Sequence, residues 1–230
     1  MIESKNPALR ASNPTPEKKL MKKYRPLFLG TLALLPWLAI PLRAAESWTR
    51  YTAEPTGSKV KVEGTSTIHD WTVESKLVGG VIELDSSFDF EKPRPGKVSA
   101  RVAVLIPVRQ LKSDKTAMDT VMYDAMKEKE HPRINYHLTQ MTLKEAPKAP
   151  DAPWLFDTLG ELVVAGVTNK IQMPVAVTRL DTDKLKFTGS TSVKMTSFGI
   201  QPPTRLGVFS TGDDVKLTFE WLTAKRAEAK

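Results

Sequence analysis

The stretch 97-KVSARVAVLIPV-108 decides the fold class. Its apolar residues fall on every second position: Val98, Ala100, Val102, Val104, Ile106 and Val108. Neighbouring side chains in a strand point to opposite sides, so this alternation indicates a strand with one buried face and one wet face. Strands of this kind form antiparallel sheets whose apolar face has to be covered by another layer.

The same alternation recurs along the rest of the chain and predicts at least eight strands, counting KVKVE and VIELD. Segments rich in glycine, proline and aspartate separate them. The pattern predicts an all-β domain whose sheet is either closed into a barrel or stacked as a sandwich. The further inward-facing positions are Trp71, Val73 and Leu77; Ile134, Tyr136 and Leu138; Ile171, Met173, Val175 and Val177; Leu185, Phe187, Val193 and Met195; Val215, Leu217, Phe219 and Trp221.

One segment, 114-DKTAMDTVMYDAMKEKEHP-132, has helical spacing instead. It predicts an amphipathic helix over Asp114–Lys127, capped by Ser113 or Asp114 and unable to continue past Pro132. The apolar stripe consists of Met118, Val121, Met122 and Ala125, widened by Met126. The residues expected to face water are Asp119, Thr120, Asp124 and Lys127.

The N-terminal 45 residues have a different character. They hold eight Lys or Arg and two Glu, so most of the net charge of +8 lies there. A cationic segment, an uncharged apolar run from Pro26 to Leu42 and a small-residue region follow in the order of a secretory signal peptide. We expect export with cleavage near Ala44–Ala45, while an uncleaved anchor and a start at Met21 instead of Met1 stay open. The predicted organisation is therefore an N-terminal extension and signal peptide, 1–45, and one β domain, 46–230.

Several classes of function are excluded or disfavoured by composition. The nearly balanced charge of residues 46–230 provides no broad surface for nucleic acid. There is no cysteine, hence no disulfide, and no phosphate loop or dinucleotide fingerprint. The three histidines, His69, His131 and His137, lack the spacing of zinc ligands, so we expect no metal and no cofactor.

The segment 66-STIHDW-71 contains the residue types of a hydrolase triad. In an extended strand, however, Ser66 and His69 diverge, as do His69 and Asp70, and a triad needs a continuous line of hydrogen bonds. The alternation changes phase after Gly64, so the chain turns here and the segment lies at the rim of the sheet. His69 then either looks into the interior or bonds a backbone carbonyl. An enzyme site near His69 and Asp70 is kept as an alternative.

Four segments together resemble the YceI family of exported, lipocalin-like proteins. They are GTSTIHDWTVES, IPVRQLKSDKTAMDTVMYDAMKEKEHPRINYHL, GELVVAGVTNKIQMPV and MTSFGIQPPTRLG…TGDDVKLTFEW, which occur in the family's order and span almost all of residues 58–222. The resemblance implies an eight-stranded antiparallel lipocalin-like barrel with a hydrophobic tunnel for isoprenoid-type or other long-chain lipids. It also implies a periplasmic or secreted location and no established enzyme activity.

We therefore expect a non-enzymatic lipid binder, with the amphipathic helix capping one end of the barrel. Methionine is flexible and polarizable, which suits contact with an irregular apolar ligand. The alternative is a stress-related periplasmic protein with a solid barrel that acts through a protein partner; transient membrane contact and a homodimer also stay open. The predicted ligand-binding residues are Trp71, Val102, Val104, Ile106, Met118, Met122, Met126, Tyr136, Val175, Val177, Phe187, Met195, Phe198 and Phe219.

Overall fold

A computed structural model describes residues 47–149, 151–205 and 209–226; the extension and signal peptide predicted over 1–45 lie outside them. The described residues form twelve strands, one α helix and two short 3-10 turns. In chain order these are β1 (Trp48–Ala53), β2 (Lys59–Ser66), β3 (Trp71–Ser75), β4 (Gly79–Asp85), β5 (Gly96–Val98), β6 (Ala100–Pro107), a 3-10 turn (Val108–Gln110), α1 (Thr116–Ala125), β7 (Arg133–Glu145), β8 (Trp154–Val164), β9 (Val167–Arg179), β10 (Lys184–Lys194), a 3-10 turn (Thr196–Phe198), β11 (Thr204–Arg205) and β12 (Phe209–Lys225).

Eight strands close into an antiparallel barrel in the order β1, β4, β6, β7, β8, β9, β10 and β12, with β12 pairing back to β1. The long strand β12 pairs with both β1 and β2. Near its end Thr223 pairs with Ala53 of β1, and in its middle Phe219 pairs with Val60 of β2. The hairpin of β2 and β3 thus extends the wall beyond β1 and β4. The prediction of an all-β, eight-stranded antiparallel barrel with one helix is confirmed.

The pairing within the barrel wall is sparsest between β3 and the segment that follows β6. Within the described residues these parts are joined by one bridge, in which the backbones of Glu74 and Lys112 exchange hydrogen bonds of 2.9 and 2.8 Å. The chain reaches β4 through Gly79 and Gly80. Gly80 has a φ of 146°, and a Cβ there would collide with the carbonyl of Ala103, so only glycine fits this corner.

The barrel interior is divided into two halves. In the packed half, buried side chains fill the interior: Tyr51, Leu84, Val98, Leu143, Trp154, Phe156, Val177 and Leu185. The segment between β4 and β5 closes this half, since the ring of Phe90 meets Trp154 edge-on at 5.2 Å and Phe88 at 4.9 Å. In the other half, here called the hollow half, the inward side chains surround an open space.

The predicted inward phases are confirmed with one exception. Leu77 is 45% exposed, so its inward assignment is wrong. β3 ends at Ser75, whose hydroxyl accepts from the amide of Leu77 at 3.1 Å and donates to its carbonyl at 3.0 Å. This local turn changes the side to which the next side chains point, so that Val78 is buried in the core and Leu77 is not.

The helix is shorter than predicted, Thr116–Ala125 instead of Asp114–Lys127. Asp114 and Lys127 have φ values of 62° and 51°, which no α helix accommodates. The N-cap residue is Lys115, and no side chain caps the helix, so the assignment of Ser113 or Asp114 as cap is wrong. Asp119 was expected to face water but is buried, because its carboxylate accepts from the Ser113 amide at 2.8 Å and the Ser113 hydroxyl at 2.6 Å.

Candidate functional site: an apolar cavity beneath helix α1

The hollow half encloses a cavity of about 750 Å³. This volume lies within the range of about 300–1,000 Å³ that small-molecule sites in proteins occupy. Inward side chains of β2, β3, β4, β6, β7, β8, β9, β10 and β12 line it, and most are aliphatic or aromatic. The boundary between the cavity and the packed half is here called the floor. It is formed by lining residues whose cross-strand partners belong to the packed half: Ile82 pairs with Tyr51, Met141 with Val98, and Phe187 with Val177.

Helix α1 covers this cavity with its apolar face. Met118, Met122 and Met126 line the cavity, as do Val121 and Ala125. The three methionines are half-buried and Val121 is 50% exposed, so the strands do not bury this face as they would bury a core helix. The apolar face is therefore available to a ligand.

Polar contacts on the opposite side of α1 hold it in place. The Tyr123 hydroxyl donates to the carbonyl of Leu111 at 2.8 Å, and the Arg109 guanidinium pairs with Glu128 at 2.9 Å. Together with the bonds between Asp119 and Ser113, these contacts tie the helix to the chain segment that precedes it. These contacts fix the helix to residues 109–113 through groups that do not belong to its methionine face.

Glycines opposite aromatic rings keep the lumen open. Gly64 pairs directly with Trp71 across β2 and β3, and Gly189 pairs with Phe219 across β10 and β12. A Cβ at Gly189 would lie 2.7 Å from the Phe219 ring. The missing side chains leave room for rings to lie flat against the wall, an arrangement known for glycines in sheets. Tyr136 covers Gly160 of β8 in the same way.

The deep part of the cavity offers a ligand almost no polar contact. The Thr158 hydroxyl already donates to the carbonyl of Met173 at 2.9 Å. The Tyr136 hydroxyl and the Trp221 Nε1 are buried without a hydrogen-bond partner among the described residues. Burial raises the pKa of the Tyr136 hydroxyl, an effect that the nearby Thr158 hydroxyl partly offsets. The neutral, apolar lining can stabilise hydrocarbon and has no group placed for acid–base chemistry.

The cavity reaches solvent at one end, here called the mouth. It is defined by the lining residues that are also exposed: Ile68, His69, Lys115, Ala117, Val121, Thr204 and Ser210. Ile68 is 63% exposed, the largest exposed fraction among the large hydrophobic side chains that the structure describes. The mouth therefore combines apolar, hydroxyl and basic groups, in contrast to the interior.

The hydrolase-like segment does not assemble a triad at this mouth. The Ser66 hydroxyl donates to the carbonyl of His69 at 2.6 Å and accepts from its amide at 3.2 Å, which makes a tight turn. The Nδ1 of His69 lies 2.9 Å from the backbone carbonyl of Asp70 and not from its carboxylate. His69 thus both lines the mouth and contacts a backbone carbonyl, and the pieces needed for nucleophilic catalysis are not in line.

The structure brings thirteen of the fourteen predicted binding residues to the cavity. Val177 does not line it, because it lies in the packed half at 2% exposure, beyond the floor. Whether the thirteen contact a ligand stays a prediction. Sequence reasoning missed Ile68 and Lys115 at the mouth and Leu111 in the wall, since none belongs to an alternating strand.

Within the described residues no helix has the length and apolar character needed to cross a membrane. Nor do their His, Asp and Glu side chains come together in a group of three that could hold a metal ion.

A closed eight-stranded barrel with a ligand-sized apolar cavity under a helix is the architecture of lipocalin-like barrels. The chain belongs to the YceI-like domain family, whose model matches residues 51–222. The resemblance noted in the sequence is thereby confirmed. No curated protein matches the chain.

Solved structures with the same fold include the following two. A polyisoprenoid binding domain from Saccharophagus degradans, implicated in plant cell wall breakdown, aligns with a TM-score of 0.58 at 13% identity, covering 76% of this chain and 98% of that one. BcnA of Burkholderia cenocepacia aligns with a TM-score of 0.54 at 16% identity, covering 74% and 98%. At these identities the likeness concerns the fold.

Proposed function

We propose that the protein binds and carries a long apolar lipid, an isoprenoid-type or related chain, without performing catalysis. The observation that carries this proposal is the cavity of about 750 Å³ with its hydrocarbon lining and its half-buried methionine cover. The name of the Saccharophagus domain, a polyisoprenoid binding domain, supports the same class of ligand.

Physical chemistry accounts for such binding without any reactive residue. Each methylene group moved from water into the cavity contributes about 0.8 kcal/mol. A chain of a dozen carbons thus gains ample affinity from burial alone, up to the practical limit of non-covalent binding. The cavity is preformed by strands, so little ordering of the protein opposes this gain.

The competing proposals have less support. A solid barrel that acts only through its outer surface would have no use for a preserved cavity, and the glycines at 64, 160 and 189 preserve it. An enzyme site near His69 and Asp70 would need side chains aligned for proton transfer, whereas the Ser66 hydroxyl and the His69 ring bond the backbone.

The experiment is native mass spectrometry of protein purified from its own cells, with a variant that fills the cavity. Val104 lines the cavity on β6, and Val104→Trp would occupy the ligand's space with apolar atoms while leaving the fold intact. The matched control is Gln172→Trp on β9, which is exposed. We expect the wild type and the control to retain a bound lipid mass and Val104→Trp to lose it. Equal ligand retention in Val104→Trp would reject the cavity as the binding site.

We also propose that the protein acts in the periplasm after cleavage near Ala44–Ala45. The support is the order of the cationic, apolar and small-residue regions at the N terminus. Cell fractionation with N-terminal sequencing tests it, and we expect a mature N terminus close to Glu46. Full-length protein retained in the inner membrane would favour an anchored form instead.

A further inference from the structure

Basic groups at the mouth are the feature of the cavity that a purely apolar ligand leaves unexplained. Among the described lining residues, Lys115 and His69 are the two whose side chains can carry positive charge, and no Asp or Glu lines the cavity. Both are exposed at the mouth, while the lining below them is apolar. The cavity is thus polarised along its length, with hydrocarbon inside and basic groups at the entrance.

Lys115 forms no ion pair with the described residues, although Lys112 three residues earlier approaches Asp119 at 3.8 Å. Lys115 is also the N-cap residue of α1. A lysine is an unusual choice there, because the N terminus of a helix carries partial positive charge and favours anions. An anion at this place would be stabilised by the ammonium group and by the helix end together.

The His69 ring is placed so that it can add a second donor. Its Nδ1 lies 2.9 Å from the carbonyl of Asp70, so Nδ1 carries a proton and donates there. Nε2 can donate to an anion in the imidazolium form, in which both ring nitrogens carry a proton. The carboxylates nearest along the chain, those of Asp70, Asp114 and Asp119, do not line the cavity. Asp119 is occupied by Ser113.

We propose that the mouth binds the anionic head group of an amphiphile, a phosphate or a carboxylate, through Lys115 and His69, while the chain of the same molecule occupies the cavity. The inference rests on the proposed lipid-binding function and specifies its ligand class. The ligand enters tail first, because burying the charged head in the apolar interior would cost many kcal/mol. A wholly apolar hydrocarbon or a neutral alcohol fits the cavity but not the mouth.

The test compares three probes on purified, delipidated protein by isothermal titration calorimetry below the micelle concentration. Dodecyl phosphate has both the chain and the charge, dodecanol has the chain alone, and inorganic phosphate has the charge alone. We expect dodecyl phosphate to bind roughly three- to tenfold more tightly than dodecanol, the range expected for a solvent-facing charged contact. We also expect this preference to shrink as salt is raised, and inorganic phosphate to show no binding at millimolar concentration.

The variants assign the preference to residues. Lys115→Gln should remove most of the preference for dodecyl phosphate over dodecanol. The matched control Lys129→Gln removes an exposed lysine that does not line the cavity, and it should keep the full preference. His69→Gln should lower the preference by a smaller factor. Thermal unfolding of each variant shows that the protein remains folded.

Each contrary outcome has its own meaning. Equal affinity for dodecyl phosphate and dodecanol in the wild type would overturn the head-group site and leave the lipid-binding function standing. A preference that Lys115→Gln leaves undiminished would overturn the assignment to this residue. Binding of inorganic phosphate as tight as that of dodecyl phosphate would show an anion site without a chain. Binding of none of the three probes would overturn the lipid-binding function together with this inference.

Discussion

The packed half and the hollow half of the barrel are built from the same strands, yet one is solid and the other encloses a cavity. Strand β9 runs through both. Its inward residues Ile171, Met173 and Val175 line the cavity, while Val177, two residues further, is packed at 2% exposure. The alternation of apolar residues is the same on both sides of the floor. It decides which face is inside but not whether the inside is filled.

The two halves differ in the segment that closes each of them from outside the barrel strands. The packed half receives Phe88 and Phe90 from the connection between β4 and β5, and these rings fill the space against Trp154 and Phe156. The hollow half receives α1, which brings flexible methionines and anchors itself by polar contacts on its other side. Stability is therefore expected to come mainly from the packed half, and function from the hollow half.

The largest expected effect is a loss of folding stability that differs between two phenylalanine-to-alanine variants. Phe156→Ala in the packed half should lower the free energy of unfolding by about 3–5 kcal/mol, because it leaves a cavity in a close-packed core. Phe219→Ala should cost about 1–2 kcal/mol less, since the Phe219 ring already borders empty space. Chemical denaturation of the two variants measures the difference. Equal losses would mean that the two halves are equally packed in solution.

Ligand binding should reduce the contrast between the halves. A saturating amphiphile at a hundred times its Kd should raise the free energy of unfolding by about 2.7 kcal/mol. Amide exchange of α1, Thr116–Ala125, should be faster than that of the strands in delipidated protein and should slow on loading. Hydrogen exchange in both states tests this. Strand-like protection of α1 in both states would show that the helix is simply part of the core.

Replacing one methionine of α1 should affect binding more than folding. Met122→Gln keeps the side-chain length and the helical propensity but places an amide against the ligand. We expect a binding loss of roughly tenfold, about 1.4 kcal/mol, with a smaller change in the unfolding free energy of delipidated protein. Tyr123 lies beside it and bonds Leu111, so Tyr123→Phe is the contrasting variant and should loosen the anchoring of α1 instead. A stability loss in Met122→Gln that equals its binding loss would contradict the distinction.

The smallest effect concerns the buried Tyr136 hydroxyl. Because it has no partner among the described residues, Tyr136→Phe should leave stability at neutral pH unchanged or raise it by up to about 1 kcal/mol. The folded-state pKa of Tyr136 is raised above its ordinary value of 10.0, so the stability that its neutral form supports is present below pH 10 and lost as pH rises through the folded pKa. The variant should therefore lose less stability than the wild type in alkaline solution. An identical alkaline loss would place the titration elsewhere, for example at Tyr51, whose pKa burial also raises.

Much of this architecture could be predicted from the sequence, because facing in a strand is a local property. The alternation in β6, β7, β9, β10 and β12 identified the inward residues, and the helical spacing identified the methionines that face the cavity. The resemblance to the YceI family supplied the number of strands and the closure of the barrel. The facing patterns of strands and helix depend on residues a few positions apart, so they can be recognised without coordinates.

The tertiary structure decided what depends on distant residues. Pairing register and the placement of Phe88 and Phe90 put Val177 below the floor, and no local pattern distinguishes it from Val175. The burial of Asp119 follows from its bonds to Ser113 outside the helix, and Leu77 turns outward because of Ser75. Gly160 meets the Tyr136 ring across a strand pair 24 residues apart in sequence, and Lys115 reaches the mouth at the end of a loop. Sequence fixes which side chains can be apolar lining, while the empty volume they enclose exists only after the strands have closed around it.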